Sequence, residues 1–300
     1  MPRSILTLSA LGPAELADLE LRAAMSAVGA RFAGESRGRI VVLCAEARPY
    51  ARVAVEVAAA GMGLSTLHVG ADEVAALGDL GVAARTLGEH APASVLVGFT
   101  AARAQAYAAA TPGPVLVADG GSGDPVGALA DLLALKALGP LAQHRLAVVG
   151  DASPRSLDLA VALATLGGSV AFAHPVGFAP DPERLTLVRE RAALSGAAVL
   201  DTDSLIDGLR DATAVLVEPW PEGESERFRA FSLQRHQLRV VRAHAGILHR
   251  APERRGPELS TTLADDPSWW APTQRALAVP AAAALLSSLF QAGARRAVIG

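Results

Sequence analysis

Two α/β domains, each built on a mostly parallel sheet, are the fold class that the sequence predicts, and three observations predict it. Short β-branched apolar runs alternate with helix-length segments along most of the chain, the pattern of a parallel sheet with helices on both faces. The rhythm stops at Gly139-Pro140 and restarts, which marks a hinge. The length of 300 residues suits about two domains.

The elements follow in order. Arg39 to Cys44 is a continuous apolar run and reads as a strand buried on both faces. A helix over about Tyr50 to Ala60 is ended by Gly61 and Gly63. Ser65 to Val69 is the next strand, and Val82 to Leu87 belongs to a helix. Ser94 to Val97 and Pro114 to Ala118 are strands, followed by helices at Ala101 to Ala110 and Val126 to Leu138. After the hinge, His144 to Val149 is a strand, Gly150 to Pro154 a turn and Arg155 to Leu166 a helix stopped by Gly167-Gly168. Ser169 to Ala173, Ala197 to Leu200 and Ala214 to Val217 read as strands, with helices near Pro182 to Ser195 and Thr202 to Leu209. The tail is an alanine-rich helix. The predicted domains are residues 1–138, completed by the C-terminal helix 272–295, and residues 139–271.

Composition excludes several classes. With 27 basic against 30 acidic side chains the formal charge is -3, so nothing draws the chain to phosphate polymers and no nucleic-acid partner is expected. Lys136 is the only lysine. The single cysteine, Cys44, cannot form an internal disulfide and suits a reducing, cytoplasmic setting; it ends a buried strand, where an inert apolar role is expected. Met1 to Gly12 is short and mixed, so no signal peptide is expected. The longest apolar stretch, Ala276 to Leu286, contains Pro280 and is too short for a membrane span. No metal site is expected, because zinc-type cysteine and histidine spacings are absent, and no cofactor is expected.

Ligands in open α/β sheets bind outside the carboxyl ends of the strands. Four loops lie there: Ala45 to Tyr50, Asp119 to Pro125, Gly150 to Arg155 and His249 to Glu258. In that order they resemble the aspartate and ornithine carbamoyltransferases, over nearly the whole chain. The segment His249-Arg-Ala-Pro252-Glu-Arg-Arg255-Gly256-Pro-Glu258 resembles the aspartate branch's His-Pro-x-Pro-x-x-Arg-Gly-x-Glu. Val148 to Asp151, then Arg155, then Thr165 to Gly167 resembles the start of the family's second domain. Asp119 to Asp131 resembles a loop and helix of the first, Arg85 to Leu87 a further helix, and Gln274 to Leu286 the closing helix.

Against that resemblance, the departures fall on the chemistry. The family holds carbamoyl phosphate with Ser-Thr-Arg-Thr-Arg at a helix N-terminus, where amides, hydroxyls and a guanidinium converge. Counting back from Glu56, that segment is Arg48-Pro49-Tyr50-Ala51-Arg52. Pro49 lacks an N–H, Tyr50 replaces an arginine and only Arg52 persists. Gly98 stands where an arginine is implied, Asp124 where a histidine is implied and Gly127 where a glutamine is implied. The stretch near Ala76 to Asp79 lacks the implied lysine, and Pro219 or Glu218 replaces an arginine. One guanidinium contact to phosphate is worth about 1.5–3 kcal/mol, so the combined losses predict no useful affinity for carbamoyl phosphate and no formation of carbamoyl aspartate or citrulline.

The expectation is therefore an aspartate carbamoyltransferase-like protein that has lost carbamoyl phosphate binding. It would be a non-catalytic structural or regulatory subunit of a pyrimidine-pathway assembly, beside dihydroorotase or an active aspartate carbamoyltransferase. The competing expectation is an enzyme with the scaffold repurposed for a different small-molecule reaction; a third is a carbamoyltransferase whose site aligns differently. Candidate catalytic residues are Asp124, His249 and Tyr50; candidate ligand-binding residues are Arg48, Arg52, Arg155 and Arg255. Each has a plainer alternative. Arg155 either binds a carboxylate or caps its loop, and His249 either does acid–base work or holds the turn at Pro252. Arg52 and Glu56, four apart, suit an ion pair, and Asp151 suits an N-cap. Gly120 to Gly123 suits an anion nest, and Trp269-Trp270 either a protein contact or loop packing. The resemblance also implies a homotrimer, with small residues Ala54, Ala58 and Ala59 allowing close approach between subunits, and a cis peptide at Ala251-Pro252.

Overall fold

A computed structural model of the chain describes residues 4–29, 38–249 and 256–297. Two compact units emerge, one running through Ala130 and resuming at Leu277, the other Asp131–Ala276. The division falls inside a helix, ahead of the Gly139-Pro140 pair.

In chain order the first unit holds α1 (Pro13–Ala27), β1 (Arg39–Cys44), α2 (Pro49–Gly61), β2 (Ser65–Val69), α3 (Ala71–Ala76), α4 (Leu80–His90), β3 (Ala93–Phe99), α5 (Ala101–Ala110) and β4 (Val115–Gly120). The helix α6 (Pro125–Leu138) carries the chain into the second unit. There follow β5 (Arg145–Val149), α7 (Pro154–Thr165), β6 (Ser169–Ala173), α8 (Pro182–Ser195), β7 (Val199–Thr202), α9 (Leu205–Leu209), β8 (Ala214–Val217), α10 (Ser225–Phe228), β9 (Gly246–His249) and α11 (Ala271–Ala276). The last helix, α12 (Ala278–Ala297), returns to the first unit.

Both sheets are parallel throughout. The first has the order β2-β1-β3-β4 and the second β7-β6-β5-β8-β9. Apolar character follows position: β1 is buried from Ile40 onward and β3 throughout, whereas β2, rich in polar residues, is an exposed edge. The core beside the first sheet gathers Val41, Leu43, Leu96, Phe99, Tyr107 and Val117. One core of the second gathers Val149, Leu209, Val215, Val217, Phe231 and Ile247. Proline opens α2, α7 and α8, where a missing N–H costs nothing. Asp79, Ser153 and Asp181 cap α4, α7 and α8, so the cap of α7 is Ser153 and not Asp151, two residues too early to reach the first-turn amides. No described helix is long and apolar enough to cross a membrane.

The order of each sheet reverses once, between β1 and β3 in the first and between β5 and β8 in the second. At such a reversal the loops leaving the two neighbouring strands diverge and open a crevice at the carboxyl edge.

Candidate active site

At the reversal of the first sheet, the loop after β1 carries Glu46 and Arg48. Arg48 donates from Nη2 to Glu46 Oε2 at 2.9 Å, with both side chains largely exposed. Burial works against the guanidinium's charge, but Asp119, Glu46 and Asp124 outweigh it and raise its pKa. Gly98, on β3, has φ +74, and a Cβ there would lie 2.7 Å from the backbone nitrogen of Glu46. Only glycine lets the β1 loop close over β3 at this point, which explains why no arginine stands there.

Asp124 accepts from the Gly127 amide at 2.8 Å and so caps α6. Gly120 and Gly123 exchange backbone bonds at 2.9 and 3.3 Å, so their amides are engaged within the turn and not turned out as an anion nest. Tyr50 lies 63% exposed on the first turn of α2. Arg52 is half-buried on the same helix. Its expected partner Glu56 instead meets His68 Nδ1 at 3.3 Å, because β2 brings that ring against the helix. Cys44 is buried, and burial is the main cause that raises its thiol pKa; a thiol so placed is a poor nucleophile.

The second sheet's reversal is built differently. Gly150, with φ +113, ends β5, and a Cβ there would press on Glu218 Cβ and carbonyl oxygen at 3.2 Å. Glu218, just past β8, is 1% exposed. Its Oε1 accepts from Ser153 Oγ at 2.8 Å, and its amide donates to Val149 O at 2.9 Å. Asp151, next in the chain after Gly150, is half-buried, and burial raises its carboxyl pKa against the opposing charge of His174. His174, at the end of β6, presents Nε2 to Asp201 Oδ1 at 2.8 Å and Nδ1 to Pro175 O at 3.0 Å. Both ring nitrogens face oxygen atoms.

A buried polar chain runs beside these groups. Arg155 grips the fully buried Asp131 with two bonds, Nε to Oδ2 at 2.7 Å and Nη2 to Oδ1 at 2.6 Å. Gln274 donates to Asp131 Oδ1 at 2.6 Å and accepts from the His249 amide at 3.2 Å. His249 Nε2 meets Glu258 Oε1 at 2.9 Å, and Gly256 donates to the same oxygen at 3.2 Å. Burial would raise the Glu258 carboxyl, yet the His249 bond and the neighbouring amides hold it below its ordinary value. The Trp269 ring lies 6.1 Å from that of His249.

Of the candidate residues, the structure gathers Arg48 and Asp124 around one sheet's edge, with Tyr50 and Arg52 on the adjoining helix. It sets Arg155 and His249 into one network at the other. Arg255 and the Ala251-Pro252 peptide lie outside the described residues. Glu218, Asp151, His174, Asp201 and Ser153 carry the second edge, and only the first two drew notice in the sequence. Their common signal is position, at or near the carboxyl ends of adjacent strands. Among the described residues no cluster of three metal-ligating side chains occurs.

Two parallel α/β sheets, each reversing once, define a two-domain α/β class with crevices at the carboxyl edges, and comparison with known proteins places the chain in a family of that fold. A model of the aspartate/ornithine carbamoyltransferase Asp/Orn binding domain matches residues 142–289. The ornithine carbamoyltransferase of Acidothermus cellulolyticus is 30% identical over 224 residues, covering 72% of each chain. That of Gloeobacter violaceus is 29% identical over 61% of this chain and 62% of its own length. A solved ornithine carbamoyltransferase from Gloeobacter violaceus superposes with a TM-score of 0.88 at 26% identity, covering 96% of this chain and 98% of that one. The chain belongs to the aspartate/ornithine carbamoyltransferase family.

These relatives overturn several expectations. They are named ornithine carbamoyltransferases, against the aspartate branch, pyrimidine biosynthesis and a non-catalytic subunit beside a pyrimidine enzyme. They equally oppose a scaffold turned to unrelated chemistry. The physical source of the branch error is the His249-to-Glu258 spacing. That spacing builds a buried hydrogen bond between its two ends, which holds a loop whatever amino acid is bound. The pseudoenzyme reading rested on replaced residues in the β1–α2 loop and at Gly98, Asp124, Gly127, the stretch near Ala76 to Asp79 and Glu218 or Pro219; a helix N-terminus also binds through backbone amides, which residue identities do not report.

Proposed function

We propose that this chain transfers a carbamoyl group from carbamoyl phosphate to the side-chain amine of ornithine. The observation that carries the reading is Glu218, a buried carboxylate at the sheet reversal of the amino-acid-binding unit. A carboxylate there repels the second carboxylate of aspartate and attracts an ammonium. Ser153 Oγ, 2.8 Å from Glu218 Oε1, helps fix the carboxylate in place. The amine attacks only when neutral. Asp151, with its pKa raised by burial, is suited to take up the proton that is lost. The amine nitrogen bonds to the carbonyl carbon, and the bond to the phosphate oxygen breaks. On the donor side, the first turn of α2 offers the Arg48 guanidinium and the orphan amides of Tyr50 and Ala51.

The test is carbamoyl transfer from carbamoyl phosphate to ornithine, aspartate or lysine, read as citrulline, carbamoyl aspartate or homocitrulline. Turnover is expected with ornithine and none with aspartate. Glu218→Gln is expected to raise the KM for ornithine by about 10–100-fold, the equivalent of roughly 1.4–2.7 kcal/mol, with folding intact. Absence of citrulline from the folded wild-type chain would refute the reading.

The proposal includes a cytoplasmic homotrimer. Ala54, Ala58 and Ala59 turn into the chain's own core, so close approach between subunits does not rest on them. The outer face of α2 instead presents Tyr50, Val53 and Val57, each about half exposed or more, and covering such a stripe favours association. Light scattering is expected to give three times 30.7 kDa, and Val57→Asp to shift it toward monomer.

A further inference from the structure

A cavity of about 570 Å³ opens in the second unit at the amino edge of β8 and β9, the end of those strands away from Glu218 and His249. The strands are four residues long, so at about 3.3 Å per residue the cavity lies on the order of 10 Å or more from the carboxyl edge. Its volume falls in the range of small-molecule sites, which join an apolar body to a few placed polar groups. Nothing in the carbamoyl-transfer reading uses it.

Its floor is apolar: Leu138 is partly exposed there, and the fully buried Val215 and Ile247 lie beneath. The indole of Trp270 forms a wall. Gly246 lets floor and wall close together: a Cβ there would meet Leu138 Cδ1 at 2.6 Å and Trp270 Cδ1 at 3.4 Å. Trp270 is fixed by its amide, which donates to Ile247 O at 2.9 Å.

The polar groups at the mouth are unequal in sign. Asp266 lines the cavity, but its carboxylate is occupied. Oδ1 accepts from the Ser268 amide and hydroxyl at 3.0 and 2.7 Å, and Oδ2 lies 3.2 Å from Arg235. These bonds lower its pKa, the Ser268 hydroxyl first. Arg242 is approached at Nε by the exposed Asp211, 3.3 Å away, and a guanidinium has five N–H donors. His244 is exposed, has φ +65 and shows no side-chain hydrogen bond. A histidine held in left-handed backbone on the rim is a small strain with no packing role to explain it. The donors still open to a ligand are thus cationic or neutral N–H groups, above an aromatic wall.

We propose that this cavity binds a small aromatic carboxylate, its ring against Trp270 and Leu138 and its carboxylate on Arg242 and His244. A ring stacked on indole gains from offset packing, and a carboxylate on a guanidinium makes charge-assisted hydrogen bonds. A neutral amide of the same shape keeps the first contact and loses the second.

The test uses the full chain, without carbamoyl phosphate or ornithine, so it stands apart from the carbamoyl-transfer reading. Phenylacetate and phenylacetamide are titrated by calorimetry, with tryptophan fluorescence as a second signal. Phenylacetate is expected to bind saturably with a Kd of about 1 mM or tighter, and the amide at least about tenfold more weakly. Arg242→Gln is expected to weaken phenylacetate by about tenfold or more. Ala137→Trp, a change at an exposed lining position, fills the mouth and is expected to abolish binding. Circular dichroism checks that both variants fold. No saturable binding up to about 10 mM, equal affinity for acid and amide, or affinity unchanged in both variants would overturn the proposal.

Discussion

The two sheet reversals are built on one plan and finished in opposite ways. Each has a glycine of positive φ at the end of one central strand and a glutamate beside it after the neighbouring strand, Gly98 with Glu46 and Gly150 with Glu218. Glu46 is 56% exposed and pairs with an arginine two residues away. Glu218 is 1% exposed and bonds to a serine on another loop. The first edge is a set of local, solvated contacts, whereas the second rests on bonds between distant parts of the chain. A phosphate donor can be met by backbone amides and mobile cations. Choosing one amino acid over another needs desolvated charges held in place, because only there does electrostatic discrimination become large. Most of the family match, residues 142–276 of 142–289, falls on the unit with the buried network.

The sharpest way to break this contrast is to cut the buried network at Asp131. Its carboxylate is fully buried and holds both Arg155 and Gln274. Asp131→Ala leaves a guanidinium that is 14% exposed without its counter-charge, a loss of about 3–5 kcal/mol for a buried pair. Urea unfolding followed by circular dichroism should show that loss. Because Gln274 also orders the His249 amide, activity should fall in the fraction that stays folded.

A smaller effect of the same network is its dependence on acid. The folded-state pKa of Glu258 lies below its ordinary value of 4.5, so the folded protein releases that proton more readily than the unfolded chain. The resulting stabilisation is complete above the ordinary value and is lost as pH falls through the depressed folded value. Glu258→Gln removes the carboxylate bond to His249, worth about 1.5–3 kcal/mol for a charged partner. Unfolding free energies should differ between wild type and variant by a constant amount over about pH 6–8 and converge in acid. A gap that persists undiminished at the lowest pH would show that Glu258 acts through shape alone.

The sequence revealed those elements whose local pattern is strong. The runs at β1 and β6 are apolar after their first residue, and the proline–glycine punctuation around α8 bounds it. The strand β9 escaped notice because it is four residues long, begins at a glycine and ends at a histidine, with too few β-branched side chains to stand out. α1 was missed beneath a charged, mixed surface in which only Leu16, Leu19 and Ala23 are buried. In the site, the His249–Glu258 spacing was legible because its ends lie nine residues apart. The partner of Arg155 was not, since Asp131 lies 24 residues away and Gln274 a further 143 from Asp131. Nor does spacing disclose that Glu218 is buried, which is the property the proposed role depends on.

The smallest expected effect lies at the first edge and sets the other end of the comparison. Glu46 and Arg48 are 56% and 44% exposed, and their 2.9 Å bond spans only two residues. Water screens such a pair and side-chain entropy opposes it, so exposed pairs contribute roughly 0.2–1 kcal/mol. Glu46→Ala should therefore change the unfolding free energy by less than about 1 kcal/mol, and raising salt should shrink even that. The same change removes one of three carboxylates that stabilise charge on Arg48, leaving Asp119 and Asp124. Arg48 then loses a competitor for its donors while keeping its charge. The KM for carbamoyl phosphate should hold or fall, with the ornithine KM unmoved. A loss of stability as large as that from Asp131→Ala would show that the first edge is as tightly built as the second, and the contrast between them would fail.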